Sequence, residues 1–150
     1  MSTVESSIVI AASPERVWDV VMDAHRFGEW VTIHRGLRNV SPDPVREGSE
    51  MEQTLHLRGA DIRVHWLLVE CQAPNYARWQ GRGPARTRAR IEYRLTAVSE
   101  GTRFDYQNEF ETPFGALGAF ASRRVMGHMA QREADRSLDA LRELLERGGG

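Results

Sequence analysis

The N-terminal part of the chain combines a strand pattern with two short helical patterns. Residues 3–11 are largely apolar and rich in β-branched side chains, which predicts a strand. Ser13 is a good helix N-cap, and Pro14 suits the first helical position because its missing N–H needs no partner there. A second short helical turn follows and ends near Trp30. The apolar side chains of the first helix recur at helical spacing: Val17, Trp18, Val21 and Met22.

Between residues 36 and 113 the apolar positions alternate with a period of two. Glycines and prolines divide this segment into about six strands, which predicts a meander of antiparallel hairpins. Two-residue turns at Gly59 with Ala60 and at Glu100 with Gly101 would set the register of two hairpins. The inward pairs are then Leu57 with Ile62, Leu55 with Val64, Gln53 with Trp66, Met51 with Leu68, Ala97 with Phe104, Leu95 with Tyr106, Tyr93 with Asn108, and Ile91 with Phe110.

After Pro113 the helical pattern returns and predicts one long helix that ends at about Arg147. The second half of this helix carries a leucine stripe formed by Leu138, Leu141, Leu144 and Leu145. Small side chains in the first half cannot fill space against a sheet as leucines do. These small residues are Gly115, Ala116, Gly118, Ala119, Ala121, Ser122, Gly127 and Ala130.

The segment AASPERVWDVVMDAHRFGEW, residues 11–30, resembles the N-terminal motif of the START and birch-pollen-allergen superfamily (SRPBCC), especially its polyketide cyclase/dehydrase-like branch. The shared features are an alanine-Ser-Pro-Glu cap, a Val-Trp pair, an aspartate followed by an aromatic turn, and a final tryptophan. This resemblance implies an α+β helix-grip fold: a curled seven-stranded antiparallel sheet around a long C-terminal helix, with two short helices after the first strand. It also implies a cavity for hydrophobic molecules such as lipids, sterols, polyketides or quinones, and only some members of the superfamily catalyse cyclisation or dehydration.

Length and charge are those of one ordinary domain. A chain of 150 residues can bury a single core, so we expect residues 1–150 to form one ligand-binding domain, with residues 148–150 frayed. The 20 basic side chains, all arginine, and the 21 acidic ones leave a net charge of -1. This balance gives no overall field that would concentrate nucleic acid or anionic lipid around the protein.

The arginine-rich run GRGPARTRAR, residues 81–90, is basic enough to raise RNA or DNA binding as an alternative. Strand alternation instead places Arg86, Arg88, Arg90 and Arg94 on the face that meets Glu109 and Glu111. We therefore expect no nucleic-acid partner.

The chain has no apolar run of the roughly 18 residues that span a bilayer. We expect no secretion signal, because the N-terminus lacks a basic region followed by a hydrophobic one. The single Cys71 excludes an internal disulfide and suits a reducing compartment. These features predict a cytoplasmic protein without a membrane span, and they are compatible with a homodimer.

The inward face of the hairpins has the composition of a small-molecule site, an apolar lining with a few orienting polar groups. We expect Trp30 at the cavity mouth, with Phe27 beside it; the alternative is that both anchor the short helices on the sheet. The long helix adds Phe120, Arg123 and Arg124, although either arginine can equally be solvated. The sheet contributes Gln53, Leu55, Leu57, Val64, Trp66, Leu68, Ile91, Tyr93, Phe104, Tyr106, Asn108 and Phe110.

Cyclisation or dehydration needs one group that polarises a carbonyl and one that moves a proton. The groups that could polarise a carbonyl are Tyr93, Tyr106, Asn108 and Gln53. Tyr93 and Asn108 are the catalytic candidates because the predicted register makes them neighbours; a hydrogen bond between the two is the alternative. His34 and Glu70 are candidates for the second task by chain position. The histidines and the cysteine form no metal-ligand pattern and no nucleotide-binding glycine loop is present, so we expect neither metal nor cofactor.

Three functions remain open at this point. The first is a polyketide cyclase or dehydratase-like enzyme that takes an aromatic or polycyclic molecule. The second is a non-catalytic carrier of a lipid, quinone or sterol on the same fold. The third is a protein-interaction module that uses the sheet face or the cavity rim.

Overall fold

The computed structural model describes residues 2–57, 59–111 and 119–147, and it describes the course of residues 119–129 without their side chains. The strands are β1 (Ser2–Ile10), β2 (His34–Arg38), β3 (Glu50–Leu57), β4 (Ala60–Gln72), β5 (Tyr76–Arg82), β6 (Arg88–Val98) and β7 (Gly101–Glu111). The helices are α1 (Pro14–Val21), α2 (Phe27–Trp30) and α3 (Ala119–Arg147), with short 3-10 turns at Ala24–Arg26 and Pro84–Arg86. The three glycines expected to fray, residues 148–150, lie outside the described residues.

All seven strands form one antiparallel sheet in the order β1-β7-β6-β5-β4-β3-β2. Each neighbour from β2 to β7 is also the next strand along the chain, and β1 closes the order by pairing with β7. The helix α3 lies against β1 and α2 and is held in the curl of the sheet. The predicted seven-stranded helix-grip architecture is confirmed.

The cap of α1 follows from its local sequence. The Ser13 hydroxyl accepts a hydrogen bond from the Arg16 backbone N–H at 3.3 Å, and Pro14 occupies the first helical turn. Asp23 caps the following 3-10 turn by accepting from the His25 N–H at 3.0 Å. The start of α1 therefore lies where the sequence predicted it.

The predicted register of both tested hairpins is wrong by two residues. Leu57 pairs with Ala60, so the turn lies between these two residues, and Gly59 has the positive φ of +79° that suits such a turn. In the other hairpin Val98 pairs with Gly101, and the turn is Ser99 with Glu100. A shift of two leaves every side chain on the face that was predicted for it, because successive side chains alternate across the sheet.

Gly101, the first residue of β7, lies close to the backbone of residues 10–12, where β1 ends. A Cβ at Gly101 would lie 2.2 Å from the Ile10 carbonyl oxygen, so no other residue fits there without moving backbone. The next residue, fully buried Thr102, donates its hydroxyl to the Ala12 carbonyl at 2.7 Å. The β6–β7 hairpin therefore holds the corner between β1 and α1.

The core lies beneath α1 and the second half of α3. Leu138, Leu141 and Leu145 are buried, and Leu144 is only partly so. At the surface of α3, Glu146 accepts from the Ala11 N–H at 3.0 Å and Gln131 donates to the Glu5 carbonyl at 2.8 Å. These contacts tie the long helix to β1 along its described length. Within that described part of the chain, no helix combines the length and apolarity needed to cross a membrane.

Candidate functional site

A cavity of about 280 Å³ lies between the inner face of the sheet, α2 and α3. Its volume is near the lower end of the range of small-molecule sites, roughly 300 Å³. On the α3 side the wall includes the small side chains of Ala130 and Ala134, next to the stretch whose small residues predicted a gap. Of the eight small residues behind that prediction, all except Ala130 lie outside the described side chains.

Most predicted site residues of the sheet lie on the cavity wall. The wall includes Trp30, Gln53, Leu55, Leu57, Val64, Trp66, Ile91, Tyr93, Tyr106, Asn108 and Phe110. Leu68 and Phe104 do not line it: both are fully buried in the core, where the inner face continues under α1 and the leucine half of α3. The predicted positions Phe120, Arg123 and Arg124 lie outside the described side chains.

Phe27 and Trp30 belong to an aromatic cluster at one end of the cavity. Each is 3% exposed, and their rings meet edge to face with centroids 6.1 Å apart. Trp30 also contacts the rings of Tyr93 and Phe104, both at 6.4 Å. Since Phe27 and Trp30 line the cavity as well, they anchor α2 on the sheet and form part of the wall at once.

The two tyrosines of the wall are neutral hydrogen-bonding groups. Burial raises the pKa of Tyr106 to about 12, and the neighbouring Asn108 side chain acts in the opposite direction. Burial and the nearby Tyr106 raise the pKa of Tyr93 above its ordinary value too. Both phenols therefore stay protonated at neutral pH, so they can polarise a carbonyl but cannot act as bases.

The predicted pairing of Tyr93 with Asn108 is wrong. Tyr93 lies opposite Tyr106, with ring centroids 6.1 Å apart, and Asn108 lies opposite Ile91. The two-residue shift of the hairpin is the cause. Asn108 Oδ1 is buried and has no hydrogen-bond partner within the described part of the chain.

A second polar group of the wall is a hydrogen-bonded chain that starts at Trp66. Its indole N–H donates to Gln53 Oε1 at 3.0 Å, and Gln53 Nε2 lies 2.9 Å from His34 Nδ1. An indole N–H only donates, so the Gln53 oxygen faces Trp66 and the amide NH₂ donates to His34. The neutral His34 ring consequently carries its proton on Nε2, and burial lowers the pKa of His34.

Neither proton-transfer candidate lies on the cavity wall. His34 sits behind Gln53 and packs against the Phe27 ring, with centroids 5.8 Å apart. Glu70 lies towards the far end of β4, where it pairs with Arg78 at 3.6 Å. Chain position alone could not show this, because orientation at strand ends depends on the curl of the sheet.

Glu133 is a wall residue that the sequence reasoning missed. It is the one carboxylate among the described wall residues, and its Oε2 accepts from the Thr32 hydroxyl at 2.6 Å. Ser137, one turn further along α3, accepts from the Thr32 N–H at 3.1 Å. Glu133 borders the stripe of Ala130, Ala134 and Leu138, and that spacing was a signal that could have identified it.

Two of the four arginines predicted to meet the glutamates do so: Arg88 is opposite Glu111 and Arg90 is opposite Glu109, on the outer face of the sheet. For the other two the prediction is wrong, because Arg94 lies opposite Asp105 and Arg86 lies in the 3-10 turn before β6. The carboxylate that Arg90 approaches within salt-bridge distance is Glu92, at 3.8 Å. Across residues 2–57, 59–111 and 119–147, no group of three histidine, cysteine or acidic side chains is placed to hold a metal ion.

Comparison with curated proteins finds similar chains in Mycobacterium tuberculosis. The uncharacterized protein Rv1546 is 29% identical over 146 residues, which cover 96% of this chain and 99% of that protein. The toxin Rv0910 is 24% identical over 102 residues, which cover 68% of this chain and 71% of that protein.

Solved structures with the same fold include TTHA0849 from Thermus thermophilus, with a TM-score of 0.81 at 20% identity over 99% of each chain. The Zhui aromatase/cyclase from a Streptomyces species has a TM-score of 0.80 at 16% identity and covers 97% of this chain and 93% of that one. The family described as polyketide cyclase / dehydrase and lipid transport matches residues 1–146. Because this match spans nearly the whole chain, the protein belongs to the polyketide cyclase / dehydrase and lipid transport family.

Proposed function

We propose that the protein binds a hydrophobic small molecule, aromatic or polyketide-like, in the cavity between the sheet and α3. The observation that carries the proposal is the wall itself, which is mainly apolar and aromatic and bears only a few polar groups. Membership of a family of polyketide cyclases, dehydrases and lipid transporters supports the same class of ligand.

The polar groups of the wall favour a ligand that carries oxygen atoms. Tyr93 and Tyr106 are protonated, so their hydroxyls can donate to a carbonyl or hydroxyl oxygen of the ligand. Asn108 Oδ1 is buried without a partner in the described chain and offers an acceptor for a ligand hydroxyl. An oxygenated ring system would satisfy both kinds of group, whereas a plain hydrocarbon tail would satisfy neither.

Catalysis of cyclisation or dehydration is the finer proposal on this site. Tyr93, with Tyr106 opposite it on β7, would polarise a ligand carbonyl by donating its hydroxyl. The two candidate bases are both engaged by other groups. Glu133 accepts from Thr32 and lies 3.3 Å from Arg136, and His34 is turned towards Gln53. The site therefore supports binding more strongly than turnover, and the carrier function stays the second candidate.

A tryptophan-fluorescence titration of the delipidated protein tests the binding proposal. The panel comprises an aromatic polyketide, a quinone, a sterol and a fatty acid. Trp30, Trp66 and Trp79 lie on the wall, whereas Trp18 does not, so Trp18→Phe is the matched control for Trp66→Phe. We expect saturable quenching by one class of ligand that is reduced in Trp66→Phe and retained in Trp18→Phe.

The absence of quenching by every class would contradict the binding proposal and favour the protein-interaction function. Once a ligand is found, incubation with a poly-β-ketone analogue separates enzyme from carrier. Turnover by the wild type that is lost in Tyr93→Phe, with binding retained, identifies a cyclase. Binding without turnover identifies a carrier.

A further inference from the structure

The indole of Trp66 lies flat on the inner face of the sheet. Trp66 on β4 pairs with Gly81 on β5. A Cβ at Gly81 would lie 2.5, 2.7 and 3.0 Å from three consecutive ring carbons of Trp66, Cζ3, Cε3 and Cη2. Three bonded carbons at such similar distances mean that the face of the ring, and not its edge, covers Gly81.

The other end of the indole is held on the opposite neighbouring strand. Its Nε1 donates to Gln53 on β3, and Gln53 is 5% exposed and held in turn by His34. The ring therefore extends from β3 across β4 to β5. A hydrogen bond fixes one end, and the absence of a side chain at Gly81 makes room for the other.

One face of the indole is turned to the sheet, so its second face is turned away from the sheet, and Trp66 as a whole is 5% exposed. Trp66 is part of the cavity wall, and the small residues Ala130 and Ala134 belong to the helical side of the same cavity. A flat ring fixed in this way is already oriented for stacking when a planar ligand displaces the groups that cover it. Aromatic groups prefer such offset stacked contacts, and a rigid surface loses little freedom on binding.

We propose that Gly81 and the Gln53–His34 pair are specificity-determining positions, which hold the Trp66 indole flat so that the cavity selects planar aromatic ligands over aliphatic ones. This inference rests on the proposed binding function and deepens it. Trp66 would touch the ligand, whereas Gly81, Gln53 and His34 are positioning residues that act through Trp66.

Gly81→Ala tests the proposal, with Gly36→Ala as its matched control. A Cβ at Gly36 would meet nothing within 4 Å, and Gly36 does not line the cavity. The probes are a hydroxylated anthraquinone and a saturated fatty acid, and the readout is affinity by calorimetry. We expect Gly81→Ala to weaken anthraquinone binding roughly tenfold and fatty-acid binding by less than about twofold, while Gly36→Ala changes neither.

The outcomes separate this inference from the proposed function. If the wild type binds neither probe in calorimetry or in the fluorescence panel, the proposed function falls and the inference falls with it. If the wild type binds the fatty acid alone, or if Gly81→Ala weakens both probes equally, only the inference is overturned.

His34 supplies a second test that does not require any change at Gly81. His34→Ala removes the acceptor for the Gln53 amide, whereas His34→Asn offers an oxygen near the position of Nδ1. We expect His34→Ala to lower the ratio of anthraquinone to fatty-acid affinity about fivefold and His34→Asn to restore most of it. An unchanged affinity ratio in His34→Ala would show that the Gln53–His34 pair does not position Trp66. That result would overturn the part of the inference that concerns this pair.

Discussion

His34 illustrates how neighbours determine the protonation of one side chain. The Gln53 amide donates to Nδ1, because the other end of that amide is committed to the Trp66 N–H. A proton on Nδ1 would therefore face another donor. Burial acts in the same direction and lowers the pKa of His34 below its ordinary value of 6.5.

This environment predicts a loss of stability in mild acid. The folded pKa of His34 lies below the unfolded one, so the unfolded chain binds more protons as the pH falls. The contribution of neutral His34 to the free energy of unfolding is complete above the ordinary pKa of 6.5 and declines as the pH falls below it. Urea unfolding at about pH 7.5 and about pH 5.5 should show a larger loss of stability for the wild type than for His34→Asn. Parallel losses in the two proteins would contradict the assignment.

At the scale of elements, the corner between β1 and α1 depends on two residues of the neighbouring hairpin. Gly101 makes room for the Ile10 carbonyl, and Thr102 donates to the Ala12 carbonyl. The sequence suggested a turn role for Gly101, since glycine supplies the positive φ that tight turns need. The glycine instead serves a contact with a segment some ninety positions earlier in the chain, as the spacing of 90 between Thr102 and Ala12 shows. No local pattern carries that information.

Gly101→Ala should destabilise the fold strongly. The added Cβ would lie 2.2 Å from a backbone oxygen, and the φ of +139° is unfavourable for alanine. We expect a loss of about 3 kcal/mol or more in the free energy of unfolding, measured by urea titration. Gly36→Ala is the control, because a Cβ there would meet nothing within 4 Å. A Gly101→Ala variant as stable as Gly36→Ala would contradict the proposed close approach.

At the scale of the whole molecule, α3 has two tasks. Its leucine half completes the core with α1 and the sheet, whereas the described residues Ala130, Glu133 and Ala134 form cavity wall. Leu138 belongs to both the core and the cavity wall, and the part of α3 beyond it serves the core. Changes in the leucine half should therefore alter unfolding more than they alter binding.

Leu141→Ala and Leu144→Ala form a matched pair for this division. Leu141 is fully buried and Leu144 is only partly buried, although both belong to the same stripe. We expect Leu141→Ala to cost about 3 kcal/mol of stability and Leu144→Ala about 1 kcal/mol, in urea unfolding. Neither residue lines the cavity, so a folded variant should retain its affinity for ligand. Equal costs for the two variants would contradict the described packing.

The sequence by itself determined the order of the elements, the cap of α1 and the face on which each strand residue lies. These features depend on short-range rules: a serine before a proline, a period of two and a period of 3.6. They survive the two-residue error in hairpin register, since a shift of two changes the partner of a side chain and not its face.

Tertiary structure decided which residues of the inner face of the sheet belong to the core and which form the cavity wall. Whether an inward side chain lies in the core, as Leu68 does, or on the cavity wall, as Trp66 does, depends on where α1 and α3 cover the sheet. The same holds for the roles of Glu133 and Gly81, which follow from the contacts of Glu133 with Thr32 and of Gly81 with Trp66. These contacts join elements that are distant in the chain, and the physical reason they escape prediction is that they arise only when the sheet curls around the last helix.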